Sequence, residues 1–397
     1  MPDTPSNPDT PGHRFNALNV PVYRASTIVF DDTASFLARK SQLFDGYSYG
    51  LYGTPTTRSL ESAVAAIEGG TRCLVVPSGL AAVTQPTLAL LGPGDHVIVA
   101  DCVYGPTRAH CATQLRRWGV RVDFMAADCQ NIGPLLTERT RLIVLESPGS
   151  FSAEIQDIAS IADQAHRAGA WVLADNTWGF GSTDLFAHGV DIVSTALSKY
   201  ASGHSDVCMG SVTVREESLF RKLKSAITGM GLGVSSDDAY LVLRGLSTLD
   251  ARLDIQAAHA IRMSQWLRGQ SGIAAVMNPA DPQDAVHARF RRLFRRGNGL
   301  VSFIPQCQDI DAIAAMVDGM SRFRIGASWG GTESLVALAD LSSLRSAPRG
   351  ATPNFVVRLH LGLEPYDLLQ QDVHAALQRL RSHELPPDPF ESQPQPL

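Results

Sequence analysis

Between residues 70 and 215 short, nearly unbroken apolar runs alternate with longer amphipathic ones. Residues 73–76, 96–100, 120–125, 142–145, 172–174, 192–194 and 211–214 read as strands, and 79–91, 106–118 and 157–168 as helices. Strands that are apolar on both faces and joined by helices belong to a parallel sheet covered on both sides. After about residue 245 the texture changes. A long helical stretch covers 246–270, two strands of a second small sheet are expected at 298–304 and 356–361, and a final helix at about 368–381. The expectation is an α/β protein: a mostly parallel sheet flanked by helices, then a smaller α+β domain. The chain divides into an arm (1–53), a larger α/β domain (54–245) and the smaller C-terminal domain (246–397). Its 397 residues, 44% hydrophobic, suit two cores, since one core stops growing at about 250–300 residues. No internal repeat is visible.

Residues 1–12 hold four prolines and no apolar signal core, and 386–397 are also proline-rich. Both ends read as disordered tails. No apolar run approaches the roughly 20 residues a membrane helix needs. The net charge of −5 gives no general attraction for polyanions. The six cysteines are scattered, with no C-x-x-C pair, which points to a reducing cytoplasm rather than a disulfide framework.

In open parallel sheets ligands bind beyond the carboxyl ends of the strands. Asp175 lies at one such end and Lys199 just past the next. A carboxylate and a lysine so placed suit pyridoxal phosphate (PLP). The amine forms a Schiff base with the cofactor aldehyde, and the carboxylate keeps the pyridine nitrogen protonated so that the ring accepts carbanion electrons. Three weaker features fall in the order one pocket requires. The turn Pro77-Ser78-Gly79-Leu80 opens a helix whose free amides suit a phosphate. Tyr104, past another strand end, is placed to stack on the pyridine, and Ser198 precedes the lysine. Alone, the turn reads as an ordinary strand-to-helix connection, and the tyrosine as a core or surface residue.

Further segments sharpen this: Pro21-Val22-Tyr23-Arg24-Ala25-Ser26-Thr27, Tyr49-Gly50 with Gly53-Thr54-Pro55-Thr56, Leu145-Glu146-Ser147-Pro148-Gly149-Ser150, Asp175-Asn176-Thr177-Trp178, Ser198-Lys199-Tyr200, Gly203-His204-Ser205-Asp206, Ser328-Trp329-Gly330-Gly331 with Glu333-Ser334, and Arg358-Leu359-His360-Leu361-Gly362. With them the chain, from about residue 19 to 379, resembles the Cys/Met-metabolism PLP enzymes, which include cystathionine β-lyase, cystathionine γ-lyase, cystathionine γ-synthase and methionine γ-lyase. The bacterial β-lyase branch is the nearest in pattern, through Pro148-Gly149-Ser150.

The resemblance implies a fold-type I PLP-dependent architecture and a set of roles. Lys199 carries the cofactor and shuttles protons, Asp175 holds the pyridinium and Tyr104 stacks on the ring. Gly79, Leu80 and Ser198 bind the phosphate. Arg358 grips the substrate carboxylate with help from Ser328, and Tyr49 completes the pocket of a neighbouring subunit in a homo-oligomer, a tetramer in this family. The implied reaction is α,β-elimination, cystathionine giving homocysteine, pyruvate and ammonia. The alternatives are a γ-lyase or C–S/C–O lyase acting on methionine, a cysteine conjugate or a canavanine-like amino acid, and a silent PLP-binding regulator.

The family pattern breaks at three positions. Leu51 stands where an arginine normally reaches the cofactor phosphate across the dimer. Tyr52 stands where bacterial β-lyases usually carry a second arginine, and Ala109 where a carboxylate follows the stacking tyrosine. Fewer polar groups then hold the distal end of cystathionine. Arg58 and Arg108 are candidates to take over the phosphate.

Other motifs have plainer readings. Gly203-His204-Ser205-Asp206 holds the ingredients of a hydrolase triad, but neighbours on one loop cannot converge as a triad does, and a structural loop is expected. Arg289, Arg291, Arg292, Arg295 and Arg296 around Phe290 and Phe294 read as an amphipathic helix with solvated arginines, not a nucleic-acid surface. His110, His166 and His188 lack metal-ligand spacing, so no metal is expected.

Overall fold

The computed structural model describes residues 18–346 and 355–384. The tails expected at 1–12 and 386–397 lie outside the described residues.

Seven strands form the large sheet: β1 Arg72–Val76, β2 His96–Ala100, β3 Arg121–Met125, β4 Thr140–Glu146, β5 Trp171–Asp175, β6 Ile192–Thr195 and β7 Gly210–Val214. Their order is β1-β7-β6-β5-β4-β2-β3. From β3 through β6 every neighbour is parallel, while β7 runs antiparallel to both β6 and β1. The central strands are apolar on both faces because helices cover both: Val97, Ile98, Val99, Leu142, Ile143, Val172 and Leu173 are all buried. The parallel run brings the carboxyl ends of β4, β5 and β6 to one edge, which is where the polar residues begin.

The second sheet comprises β8 Ile273–Met277, β9 Leu300–Pro305, β10 Arg324–Ile325, β11 Leu335–Asp340 and β12 Phe355–His360, in the order β10-β11-β12-β9-β8. It is antiparallel except for the pair β10–β11. Helices Leu249–Arg268, Ile310–Asp318 and Tyr366–Glu384 contribute Ala260, Met263, Ile313, Leu369 and Val373 to its own core.

Several elements differ from the sequence pattern. The helix expected over 246–270 is present as Leu249–Arg268 and starts later than expected because Leu246 closes a separate helix, Ser236–Leu246. Gly245, in the last turn of that separate helix, has no room for a side chain, since a Cβ there would lie 2.3 Å from Ser202 O. The helix expected at 106–118 starts at Gly105 and widens into a π turn over Cys111–Leu115. Strands β8 and β11 and helices Pro55–Glu68 and Glu217–Gly229 add to the elements expected from the sequence.

Candidate active site

Lys199 sits on a loop leaving β6 that is tied down on all sides. Ala196 N donates to Thr177 Oγ1 at 2.8 Å, Ser198 N to Met209 O at 3.2 Å and Gly203 N to Lys199 O at 2.9 Å. From the other sheet, Gly330 (φ +91°) lies so close that a Cβ would be 2.8 Å from Tyr200 N. A side chain is excluded there, and the segment Ser328–Gly330 rests on the lysine's backbone. Lys199 Nζ accordingly donates to Ser328 Oγ at 2.6 Å and lies 5.6 Å from the Trp329 ring centre. Burial, and then the Arg358 charge, push the ammonium down to about 8, with Cys208 and Asp175 opposing.

Asp175 ends β5, opposite Glu146 on β4 and Ser194 on β6. One carboxyl oxygen accepts from Thr177 N at 2.9 Å, and among the described residues the other takes no donor. Burial raises this carboxyl above its ordinary range despite the Thr177 bonds and the Lys199 charge.

Arg358, buried on β12, donates to Ser328 O at 3.3 Å, and its guanidinium carbon lies 4.4 Å from the Phe151 ring centre. Desolvation lowers it to about 10. Ser328 therefore touches both cations, one through its hydroxyl and one through its carbonyl. A cleft opens onto Arg358, walled by Phe151, Trp178, Met277 and Trp329 and bordered by Glu146 and Thr177.

The other sequence candidates fall as follows. Ser78 caps helix Gly79–Leu90 by accepting from Ala81 N at 3.1 Å, and the Gly79 and Leu80 amides donate to no acceptor among the described residues. A Cβ on Gly79 would lie 2.3 Å from Ala196 Cβ, so this turn packs against the loop that carries Lys199. Tyr104 N donates to Glu146 Oε2 at 2.6 Å, and its ring is 44% exposed. The Ser198 hydroxyl donates to Met209 O at 3.1 Å and accepts from Met209 N at 2.9 Å, so its proton is directed at backbone. Tyr49, 43% exposed and edge-on to Tyr52, does not line the cleft of its own chain. Arg58 pairs with Glu61 at 2.9 Å, and Arg108 with Asp101 at 3.3 Å.

Glu146, Thr177, Phe151, Trp178 and Trp329 were not given roles from sequence. Glu146 carried the same signal as Asp175, a carboxylate ending an apolar strand. The His204 ring donates to Ser202 O at 2.7 Å, and Gly203 packs on Arg252, so this loop is structural. Phe290 and Phe294 are buried, while Arg296 pairs with Asp250 and Asp254 and Arg289 donates to Ile155 O. Among the described residues no group of histidine, cysteine and carboxylate side chains is arranged to hold a metal, and no helix is long and apolar enough to cross a membrane.

The chain matches the Cys/Met metabolism PLP-dependent enzymes over residues 5–378. It belongs to that family. A cystathionine beta-lyase of Bordetella avium is 35% identical over 381 residues, covering 94% of this chain and 95% of its own. An L-alanine/L-glutamate racemase of Wolbachia pipientis is 34% identical over 388 residues, covering 93% and 95%. Cystathionine gamma synthase from Xanthomonas oryzae, solved in complex with aminoacrylate and cysteine, superposes with a TM-score of 0.83 at 28% identity, covering 92% of this chain and 94% of that one.

The family's cofactor is pyridoxal 5'-phosphate, and the residues fit it. The half-buried Asp175 keeps one carboxyl oxygen to which no described residue donates, Lys199 has a lowered pKa, and two free amides open a helix packed against the lysine loop.

Proposed function

We propose that this enzyme catalyses α,β-elimination from a sulfur amino acid, with cystathionine as substrate and homocysteine, pyruvate and ammonia as products. The observation that carries the reading is the cluster Lys199–Ser328–Arg358: a depressed amine 2.6 Å from a serine whose carbonyl holds a buried guanidinium. The bound cofactor supplies the electron sink that makes a Cα proton removable. Lys199 is the attachment point and then the base at Cα, because burial leaves much of its amine unprotonated near pH 8. Arg358 takes the substrate carboxylate with its in-plane donors, and Ser328 fixes lysine and arginine relative to one another. Asp175 holds the pyridinium and Tyr104 covers the ring. Gly79 and Leu80 hold the phosphate, and Ser198 joins them once its hydroxyl turns from Met209 O.

A second reading rests on Leu51, Tyr52 and Ala109 and on the aromatic cleft walls. None of these side chains carries a charge to hold a zwitterionic leaving group, which favours a β- or γ-lyase of the same family acting on another amino acid. Incubation with cystathionine, cysteine, homocysteine, methionine and canavanine, with pyruvate assayed against 2-oxobutyrate and homoserine, separates the two. Lys199→Ala should lose both turnover and the cofactor's protein-bound absorbance, and lyase activity persisting in that variant overturns the assignment.

We further propose a homo-oligomer, a tetramer, in which the arm up to residue 53 reaches the partner's pocket through Tyr49. Leu18, Val29, Phe36 and Leu37 lie exposed along that arm, apolar surface that a second copy would cover. The divisions at 54–245 and 246–397 are kept as part of this proposal, supported by one sheet lying within each. All six cysteines are free, in keeping with a cytoplasmic location.

A further inference from the structure

Phe151 packs beside the apolar cluster of Ile304, Leu341 and Val356, yet its backbone is strained. Its backbone is left-handed (φ +64°), as is that of Ala153 (φ +55°), a region disfavoured for any residue with a Cβ. The loop is held there firmly. Ser150 N donates to Cys102 O at 2.9 Å, Gly149 N to Glu154 O at 2.9 Å and Ala153 N to Gly149 O at 2.9 Å, and Arg345 donates to Ser150 O at 3.1 Å. Gly149 has no room for a side chain, since a Cβ would lie 2.7 Å from Cys102 Cβ. Local strain that the surroundings enforce at a cleft is a mark of function.

The enforced conformation lays the Phe151 ring over the Arg358 guanidinium at 4.4 Å. Arg358 is 7% exposed, so the ring faces a largely desolvated cation, the setting in which such contacts are strongest. Of the five guanidinium donors, Ser328 O takes one, from Nη2. With the ring over one face, the donors that Ser328 O does not take lie in the guanidinium plane, the geometry a planar carboxylate needs for two parallel hydrogen bonds.

We propose that Phe151 is a positioning residue: it fixes the plane of Arg358 and keeps water off its face, so that the arginine meets an α-amino acid carboxylate edge-on. This rests on the reading of Arg358 as the carboxylate site. The contact acts at binding, so it affects every α-amino acid ligand alike and leaves the chemical step and cofactor attachment alone.

The test uses the cofactor-loaded enzyme and two probes, L-alanine and ethylamine, which differ in the carboxylate, followed by the change in cofactor absorbance. Phe151→Leu should weaken L-alanine about tenfold and leave ethylamine within twofold, with Phe151→Tyr restoring L-alanine binding. Phe151→Gly, whose backbone suits the left-handed turn, should show the same selective loss and guards against a folding defect in the leucine variant. With the best substrate found, KM should rise and kcat hold. Equal weakening of both probes, or unchanged L-alanine binding in the leucine and glycine variants, overturns the proposal. Arg358→Ala separates the two layers. If it weakens L-alanine while the Phe151 variants do not, only the role of Phe151 falls; if it leaves L-alanine binding unchanged, the carboxylate site itself falls.

Discussion

Glu146 and Asp175 stand side by side at the ends of β4 and β5, paired in register, two carboxyl groups at one enclosed edge. They do not share the charge equally. Burial, and then repulsion from Asp175, push the Glu146 carboxyl well above its ordinary range, against the opposing hydrogen bond from Tyr104 N and the charge of Arg345. Burial thus favours the uncharged form of Glu146 beside the carboxyl proposed to face the cofactor ring, and Glu146 pins the backbone of the tyrosine proposed to stack on that ring. Glu146→Gln, a neutral isostere that keeps an acceptor for Tyr104 N, should retain cofactor affinity and melt no lower than wild type at pH 8. Glu146→Ala strands the Tyr104 amide and should lose about 1–3 kcal/mol by chemical denaturation.

Lys199 sets a pH profile. Attack on an aldehyde needs the free amine, and burial brings its pKa down to about 8 from 10.5. The rate at which apo-protein takes up the cofactor should rise with pH and level off above about 8, where an unperturbed lysine would keep rising. Arg358→Ala removes the second cause of the depression and should move the profile to higher pH. Stopped-flow absorbance between pH 6 and 10 reads both.

Glu68 is a buried carboxyl behind the site, accepting from Asn176 Nδ2 at 2.6 Å and from Thr195 Oγ1 at 2.6 Å. Burial raises it to about 7 from 4.5, the two bonds oppose, and Asp175 and Asp184 add to the rise. The folded state therefore holds a proton that the unfolded chain releases, and this contribution, whole below about pH 4.5, is lost as pH rises to about 7. Glu68→Gln removes it. The melting temperature of the variant relative to wild type should climb between pH 5 and 8, and a flat difference refutes the linkage.

Gly79→Ala places a methyl 2.3 Å from Ala196 Cβ and 2.9 Å from its Cα. Neither neighbour is a flexible side chain, so backbone must shift. The variant should lose about 1–3 kcal/mol and bind cofactor more weakly, because the displaced turn packs on the Lys199 loop and both are proposed to hold the cofactor. Calorimetry and a cofactor titration check the two effects together.

The cofactor chemistry was legible in the linear chain because Asp175 closes an otherwise apolar β5 and Lys199 follows just beyond β6, a carboxylate and an amine at neighbouring strand ends. The parallel sheet followed from the same runs, since period and composition are local properties. The second sheet was half legible, because β8 and β11 are short, alanine-containing apolar runs that suit a helix as well as a strand, and their partners make them strands. What only the tertiary structure decided are the meetings. Ser328 reaches Lys199 across 129 residues, Glu146 finds Asp175 through strand order, and Phe151 covers Arg358 because a strained loop from one sheet meets a strand of the other. The chemistry of a residue travels with its letter; its neighbours are set by how two separately buried sheets close on one another.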